Sequence, residues 1–388
     1  MSTLGAAGIG DDAATMARCG GREWLSLALL ESRNELLARL GAGPAAAPAP
    51  EALRLAASAG WFQEWWVARH LQRARGEAAV AASPRLASIE PAAEAWLLGA
   101  GVSDAEDIRH YLGQTLELTL DLLAHAEQDG AGLYVFRLAL QHDDRIAEQL
   151  GWALPPLRPA PRPAREAIGV PAGRWQLGSE RAPAGLFVPH GERWAHEVKV
   201  PEFEIDAQCV NWAQFAEFSE DGGYDRRECW SEVAWAWLQQ DGRRAPQSVE
   251  QLAGSVLVSC GTEVLRAPSQ QAAMQLTRHE AEAWCRWAGR RLPTEPEWEL
   301  AAHTAVRRGF AWGDVLEWVA GSARLFPGAE AAPPPGTLDV IEAASGLTPG
   351  VLRGCSSATP ARWRHPKARR FALPHEDRLR TGFRSCAI

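Results

Sequence analysis

A chain of 388 residues is too long for one ordinary hydrophobic core and suits two domains. Hydrophobic residues make up 46% and charged residues 23%, a composition that excludes intrinsic disorder. A formal net charge of −8 and a pI near 5.8 argue against a general nucleic-acid binder, so no nucleic-acid partner is expected.

The seven cysteines form no CxxC pair and are odd in number, which fits a reducing compartment better than a disulfide framework. Asp11 and Asp12 stand where a secretory leader would carry basic residues, and no apolar run is long enough to span a bilayer. A cytoplasmic protein without a membrane partner is expected. Eighteen Trp against three Tyr is the oddest feature, and it reads as packing mass for a loop-rich domain.

The first half reads helical. Trp24 to Leu40 places Leu25, Leu29, Leu36 and Leu40 on one face, and Gly41 and Gly43 stop it. After a Pro/Ala-rich connector, Pro44 to Pro50, a second helix is predicted from Glu51 to about Gln72, with Gly60 as its weak point and Trp61 expected in the core. A capping box, Ser103-Asp104-Ala105-Glu106, opens a third helix through Leu112, Leu116, Leu120 and Leu123. The fourth runs from Leu133 to Leu150. Four amphipathic helices predict an up-down bundle over residues 1–154.

Residues 155–167 are proline-rich and read as a linker. Beyond, over 168–388, short β-like runs such as Glu197 to Val200 alternate with Gly-rich turns around one clear helix, Arg278 to Ala288, which predicts an α+β domain. The segment Arg362 to Arg370 is locally basic and interleaved with Trp363 and Phe371. It reads either as a pocket for an anionic small molecule or as a solvated loop.

Six strings then occur in order: Gly222-Gly223-Tyr224, Arg278 to Gly289, Arg291 to Glu299, Trp312 to Trp318, Leu352 to Ser356, and Gly382-Phe383-Arg384. Together they resemble the domain shared by formylglycine-generating enzymes and EgtB-type sulfoxide synthases. Trp61-Phe62-Gln63-Glu64-Trp65-Trp66 resembles the helix of the DinB-like bundle that precedes that domain in EgtB. The fusion of Trp-Gly-Asp to Leu-Glu-Trp is similar to a subgroup that includes selenoneine synthases. No second cysteine stands near Cys355, unlike the copper-binding formylglycine-generating enzymes. The resemblance implies a multidomain α and α+β protein: an N-terminal DinB-like four-helix bundle followed by a C-type-lectin-like, sulfatase-modifying-factor domain.

It also implies a non-haem Fe(II) held by three histidines, which activates O2 and joins a thiol or selenosugar to the imidazole of histidine betaine. The matching helix reads His142-Asp143-Asp144-Arg145-Ile146-Ala147-Glu148, so one histidine and the glutamate of an HxxxHxE pattern remain and Ile146 replaces the second histidine. Ser58 stands at the third position. His142 and Glu148 are therefore the metal-site candidates at family positions, and a tight iron site there is not expected. A rebuilt site drawing on Asp143, Asp144, His70, His110 or His125 is the alternative.

The aromatic that relatives carry after Glu-Trp is also absent from Val319 to Arg324. A surviving substrate pocket is expected between bundle and second domain, with Trp318, Arg353 and Arg384 as substrate-binding candidates; the arginine forks suit a carboxylate. The other reading of Arg353 and Arg384 is internal bracing. Two functional readings follow: an oxidative C–S or C–Se bond-forming iron enzyme with an altered site, or a non-catalytic relative that binds a ligand or partners an active paralogue.

Overall fold

The computed structural model describes residues 9–41, 48–98, 104–151, 160–181, 186–260, 263–329 and 348–388, with no side-chain description for residues 9–12 or Cys260. The Pro44–Ala47 part of the first connector, Ser103 of the capping box and residues 155–159 of the linker lie outside them.

The N-terminal half is helical: α1 (Ile9–Cys19), α2 (Arg22–Gly41), α3 (Pro50–Gln63), a short α4 (Ala93–Leu97), α5 (Ala105–Ala124) and α6 (Gly130–Leu150). Asp104 and Asp129 cap α5 and α6, their carboxylates accepting from Glu106 N–H and Gly132 N–H. The apolar stripe read on α2 is buried as Leu25, Leu29, Leu36 and Leu40.

Four of these helices, α2, α3, α5 and α6, pack together, but not in alternating directions. Two apolar clusters lie at opposite ends of the bundle. One gathers Leu25, Leu29, Phe62, Trp66, Leu123 and Leu133–Leu140 residues; the other gathers Leu36, Leu40, Leu53, Ala56, Ile108, Leu112, Ile146 and Leu150. Tracing each helix between them makes α2 and α6 run one way and α3 and α5 the other. The expected up-down-up-down order is therefore corrected to up-down-down-up. The physical reason is the long connection from α3 to α5, which carries the chain back across the bundle before α5 begins.

The second helix is also shorter than its pattern suggested. It opens into a π-helical turn at Glu64–Ala68 and ends there. Gly60, the apparent weak point, is where α3 approaches α5; a Cβ on it would lie 2.7 Å from the Tyr111 ring. Trp61 is half-buried and stacks on Trp65, ring centroids 4.9 Å apart, while Phe62 takes the core position expected for Trp61.

The second half pairs β1 (Ile168–Val170) with β4 (Phe203–Ile205), and β2 (Gly173–Leu177) with β3 (His196–Val200), both antiparallel. Helices α7 (Trp212–Glu220) and α8 (Glu232–Asp241) follow, then an antiparallel meander of β5 (Val249–Ala253), β6 (Ser255–Cys260) and β7 (Glu263–Ala267). Helices α9 (Arg278–Trp287) and α10 (Glu295–Thr304) each open on a capping box, Thr277/Glu280 and Thr294/Glu297. The central sheet has the order β10 (Arg369–Ala372), β9 (Gly350–Arg353), β8 (Leu316–Ser322), β11 (Thr381–Phe383), with β11 parallel to β8. The tryptophans fill this domain: Trp212, Trp298 and Trp318 are fully buried. Among the described residues no helix is long and apolar enough to cross a membrane.

Candidate functional site

Helix α6 lies between the rest of the bundle and the second domain, so it is buried on nearly every face. Three of its carboxylates are bound by side chains far away in sequence. Asp143 accepts from Arg33 and Gln63 at 2.8 and 2.9 Å, and burial pushes its carboxyl up to about 6 despite Arg33. Asp144 accepts from Ser32, Arg362 and the Trp363 indole, each at 2.6 Å. Glu148 accepts from Ser356 and Thr359 at 2.8 and 2.7 Å and pairs with Arg370 at 2.6 Å. Burial alone would raise the Glu148 carboxyl, but Arg370 and the hydroxyls more than offset this and hold it below the ordinary carboxylate value.

The positions of the implied iron site lie together, on facing stretches of α3 and α6. His142 is buried, and the Phe62 ring lies flat on its imidazole with centroids 4.0 Å apart and planes 3° apart. Ile146 is fully buried in the apolar cluster with Ala56, Ala57 and Ala59. Ser58 turns its hydroxyl to the Leu55 carbonyl at 2.6 Å. A metal needs converging lone pairs, and these residues offer packed methyls, a hydroxyl tied to backbone and a glutamate bound by an arginine. The residues present do not fit a three-histidine iron.

The rebuilt alternative fares no better. Asp143 and Asp144 are bound as above, His70 accepts from Gln72 N–H and stacks on Trp66, and His110 and His125 are exposed. Among the described residues no group of three or more His, Cys, Asp or Glu is arranged to hold a metal ion.

Trp318, Arg353 and Arg384 are likewise fully buried. Trp318 donates its indole N–H to the Leu276 carbonyl at 2.8 Å. Arg353 pairs with Glu299, which also accepts from the Trp175 indole at 3.0 Å and from Lys367 at 3.1 Å. Arg384 pairs with Glu317 at 2.5 Å, and the Trp298 indole donates to the same carboxylate at 2.8 Å. None of the three has exposed surface in this structure, and their internal partners match the bracing reading of these residues rather than the substrate-binding one. The strings that carry the resemblance are the interior struts of this domain.

The basic segment is neither a solvated loop nor an open anion pocket. Arg362, Arg369 and Arg370 pair with Asp144, Glu295 and Glu148, and Lys367 reaches Glu299 and the carbonyls of Gln176 and Gly178. It clamps the two halves together. A further bond, Arg18 to Glu192 at 2.9 Å, ties α1 to the loop before β3. Sequence reading did not find these pairs, because nothing local marks which acid an arginine will meet.

Between the halves, a cavity of about 510 Å³ lies among Trp24, Leu27, Glu31, Asp144 and Arg362, in the region expected for a pocket. Neither His142 nor Glu148 lines it.

This is an α-helical bundle clamped to a mixed α and β domain whose core is braced by Trp318, Arg353 and Arg384. Residues 154–332 match the family model described as the sulfatase-modifying factor enzyme 1-like domain. Over 227 residues the chain is 35% identical to a hercynine oxygenase of Mycolicibacterium smegmatis, covering 53% of this chain and 51% of that protein. It is also 29% identical over 188 residues to a formylglycine-generating enzyme of Mycobacterium tuberculosis, covering 38% and 55% of the two chains. An inactive C-alpha-formylglycine-generating enzyme 2 of Bos taurus is 31% identical over 166 residues, covering 39% and 53%. The chain thus spans about half the length of the curated relatives it matches. It carries a region similar to the sulfatase-modifying factor enzyme 1-like domain and to part of the hercynine oxygenases.

Proposed function

We propose that the chain is a divergent EgtB-like protein whose iron position has been closed by packing. It consists of a DinB-like bundle (1–154), a proline-rich joint (155–167) and a formylglycine-generating-enzyme-like domain (168–388), and it acts as a non-catalytic ligand-binding or partner subunit. The observation that carries this reading is Ile146, fully buried among alanines of α3 at the place of the second histidine. Fe(II) is the family's metal, and similarity to hercynine oxygenases supports the competing reading, an enzyme forming C–S or C–Se bonds on histidine betaine.

Anaerobic loading with Fe(II), elemental analysis and an O2-consumption assay with histidine betaine plus a thiol or a selenosugar separate the two. The expected result is far less than one iron per chain and no substrate-dependent O2 uptake. Stoichiometric iron that disappears in His142→Ala would restore the enzyme reading.

A further inference from the structure

Among the described residues five arginines are 2% exposed or less, and four of them face a carboxylate. Arg33 is paired with Asp143, Arg353 with Glu299, Arg369 with Glu295 and Arg384 with Glu317. Arg137, in the first half of α6, is the fifth, and it has no carboxylate. Its Nη2 donates to the Gly20 carbonyl at 2.9 Å, while Nε and Nη1 are buried without a hydrogen-bond partner. A guanidinium taken out of water needs a counter-charge, and burial accordingly pulls the pKa of Arg137 below the ordinary arginine value.

The acidic group set beside it is a thiol. Gly20, which Arg137 touches, directly follows Cys19, the last residue of α1, and Cys19 is the group whose negative charge would work against that shift. Cys19 is exposed and free, whereas Cys209, Cys229, Cys285, Cys355 and Cys386 are buried. Its Sγ–H donates to the Thr15 carbonyl at 3.2 Å. A neutral thiol is a poor acceptor and leaves the two guanidinium donors unmet. The other charges at this corner are committed or remote. Arg18 pairs with Glu192, Arg22 donates to the carbonyls of Ala124 and Ala126, Asp129 caps α6, and Glu127 stays exposed.

Oxidation supplies the missing anion. The Cys19 sulfur attacks one oxygen of a hydroperoxide, so that an S–O bond forms, the O–O bond breaks and the other oxygen leaves as water or an alcohol, taking up the thiol proton. A second hydroperoxide repeats the step on the sulfenic acid and gives a sulfinic acid, which releases its proton to solvent. The sulfinate spreads a full negative charge over two oxygens, which suits the donors of a guanidinium.

We propose that Cys19 is a site of oxidative modification by hydroperoxides and that Arg137 receives the resulting sulfinate. The site lies next to a tie between the two halves, since Arg18 pairs with Glu192 and its carbonyl accepts from the Phe187 N–H at 2.9 Å. Neither Cys19 nor Arg137 belongs to the implied iron positions, so failure here leaves the reading above untouched.

The test treats the full chain with stepwise hydrogen peroxide, locates the added oxygens by peptide mass spectrometry and follows the melting temperature in parallel. Cys19 should gain two oxygens before any of the five buried cysteines gains one. The melting temperature should then rise by about 2–4 °C relative to Cys19→Ser treated in the same way, and this rise should be absent in Arg137→Gln. A charge mimic gives an arm that needs no oxidant: Cys19→Asp should melt above Cys19→Asn, and the difference should vanish when Arg137→Gln is added to both. Oxidation of a buried cysteine first, no rise on oxidation, a rise that survives Arg137→Gln, or an Asp–Asn difference indifferent to Arg137 would each overturn the proposal.

Discussion

Phe62 lies flat against His142, with ring planes 3° apart and centroids separated by 4.0 Å. Because α3 and α6 run antiparallel, the next turn along brings Ser58 level with Ile146. The three positions that the sequence resemblance implies for iron-binding imidazoles thus lie on facing turns, and only His142 among them carries an imidazole.

That juxtaposition makes restoration a direct test. The double variant Ser58→His/Ile146→His should take up Co(II) or Fe(II), and its melting temperature should rise when metal is added, because binding to the folded state alone stabilises it. Without metal it should melt below the parent, since Ile146 sits in an apolar cluster that an imidazole would disrupt. Metal uptake no greater than the parent's, in a folded double variant, would show that the bundle does not match the iron family.

Core packing around the same site gives a second outcome. Phe62→Ala should cost about 3–5 kcal/mol, because the ring is fully buried. Trp61→Ala should cost less, as its indole is only half-buried. Denaturant melts of the two variants check the order.

The arginine struts can be weighed in the same way. Arg384→Ala leaves Glu317 buried without its partner and should destabilise by about 3–5 kcal/mol. Glu148→Ala strands Arg370 at the contact between the halves, so it should loosen that contact first. Limited proteolysis between the halves should accelerate in Glu148→Ala and stay unchanged in Arg384→Ala under conditions where both remain folded.

The buried histidines should make acid destabilising from about pH 6.5 downward. Asp143, whose buried carboxyl is raised to about 6 and so binds its proton more readily in the folded chain, offsets this effect in part. His279 packs against Trp237, and burial, with His375 and Arg278 nearby, pushes its pKa down to about 4. Burial also pushes His365 down to about 4; Glu192 works against the shift, while Arg18, His303 and Lys367 add to it. Both rings stay neutral in the folded chain and gain a proton on unfolding below the ordinary 6.5. The unfolded state therefore binds more protons, and stability should fall as pH drops from about 6.5 to about 4, by up to one proton per histidine. Unfolding free energies measured across this range should lose part of that slope in His279→Gln and His365→Gln.

Much of this molecule is legible in the linear chain, and for a physical reason. Helix α2 follows from Leu25, Leu29, Leu36 and Leu40 because a helical period is a local property, and Asp104 marks the start of α5 because a cap acts within one turn. The ordered strings from Gly222 to Arg384 point to the second domain, and Ser58 and Ile146 are readable in the linear chain as non-ligands at the positions where the resemblance implies histidines.

What only the tertiary structure decided concerns partners chosen over long separations. Arg362 meets Asp144 across 218 residues and Ser356 meets Glu148 across 208, so a basic stretch that looks like an anion pocket becomes a clamp. Arg353 and Arg384 look equally suited to a substrate carboxylate or to Glu299 and Glu317; burial selects the second, because a guanidinium taken out of water needs a carboxylate beside it. The parallel course of α3 and α5 is likewise invisible in periodicity, which records which face of a helix is apolar but not the direction in which the helix runs.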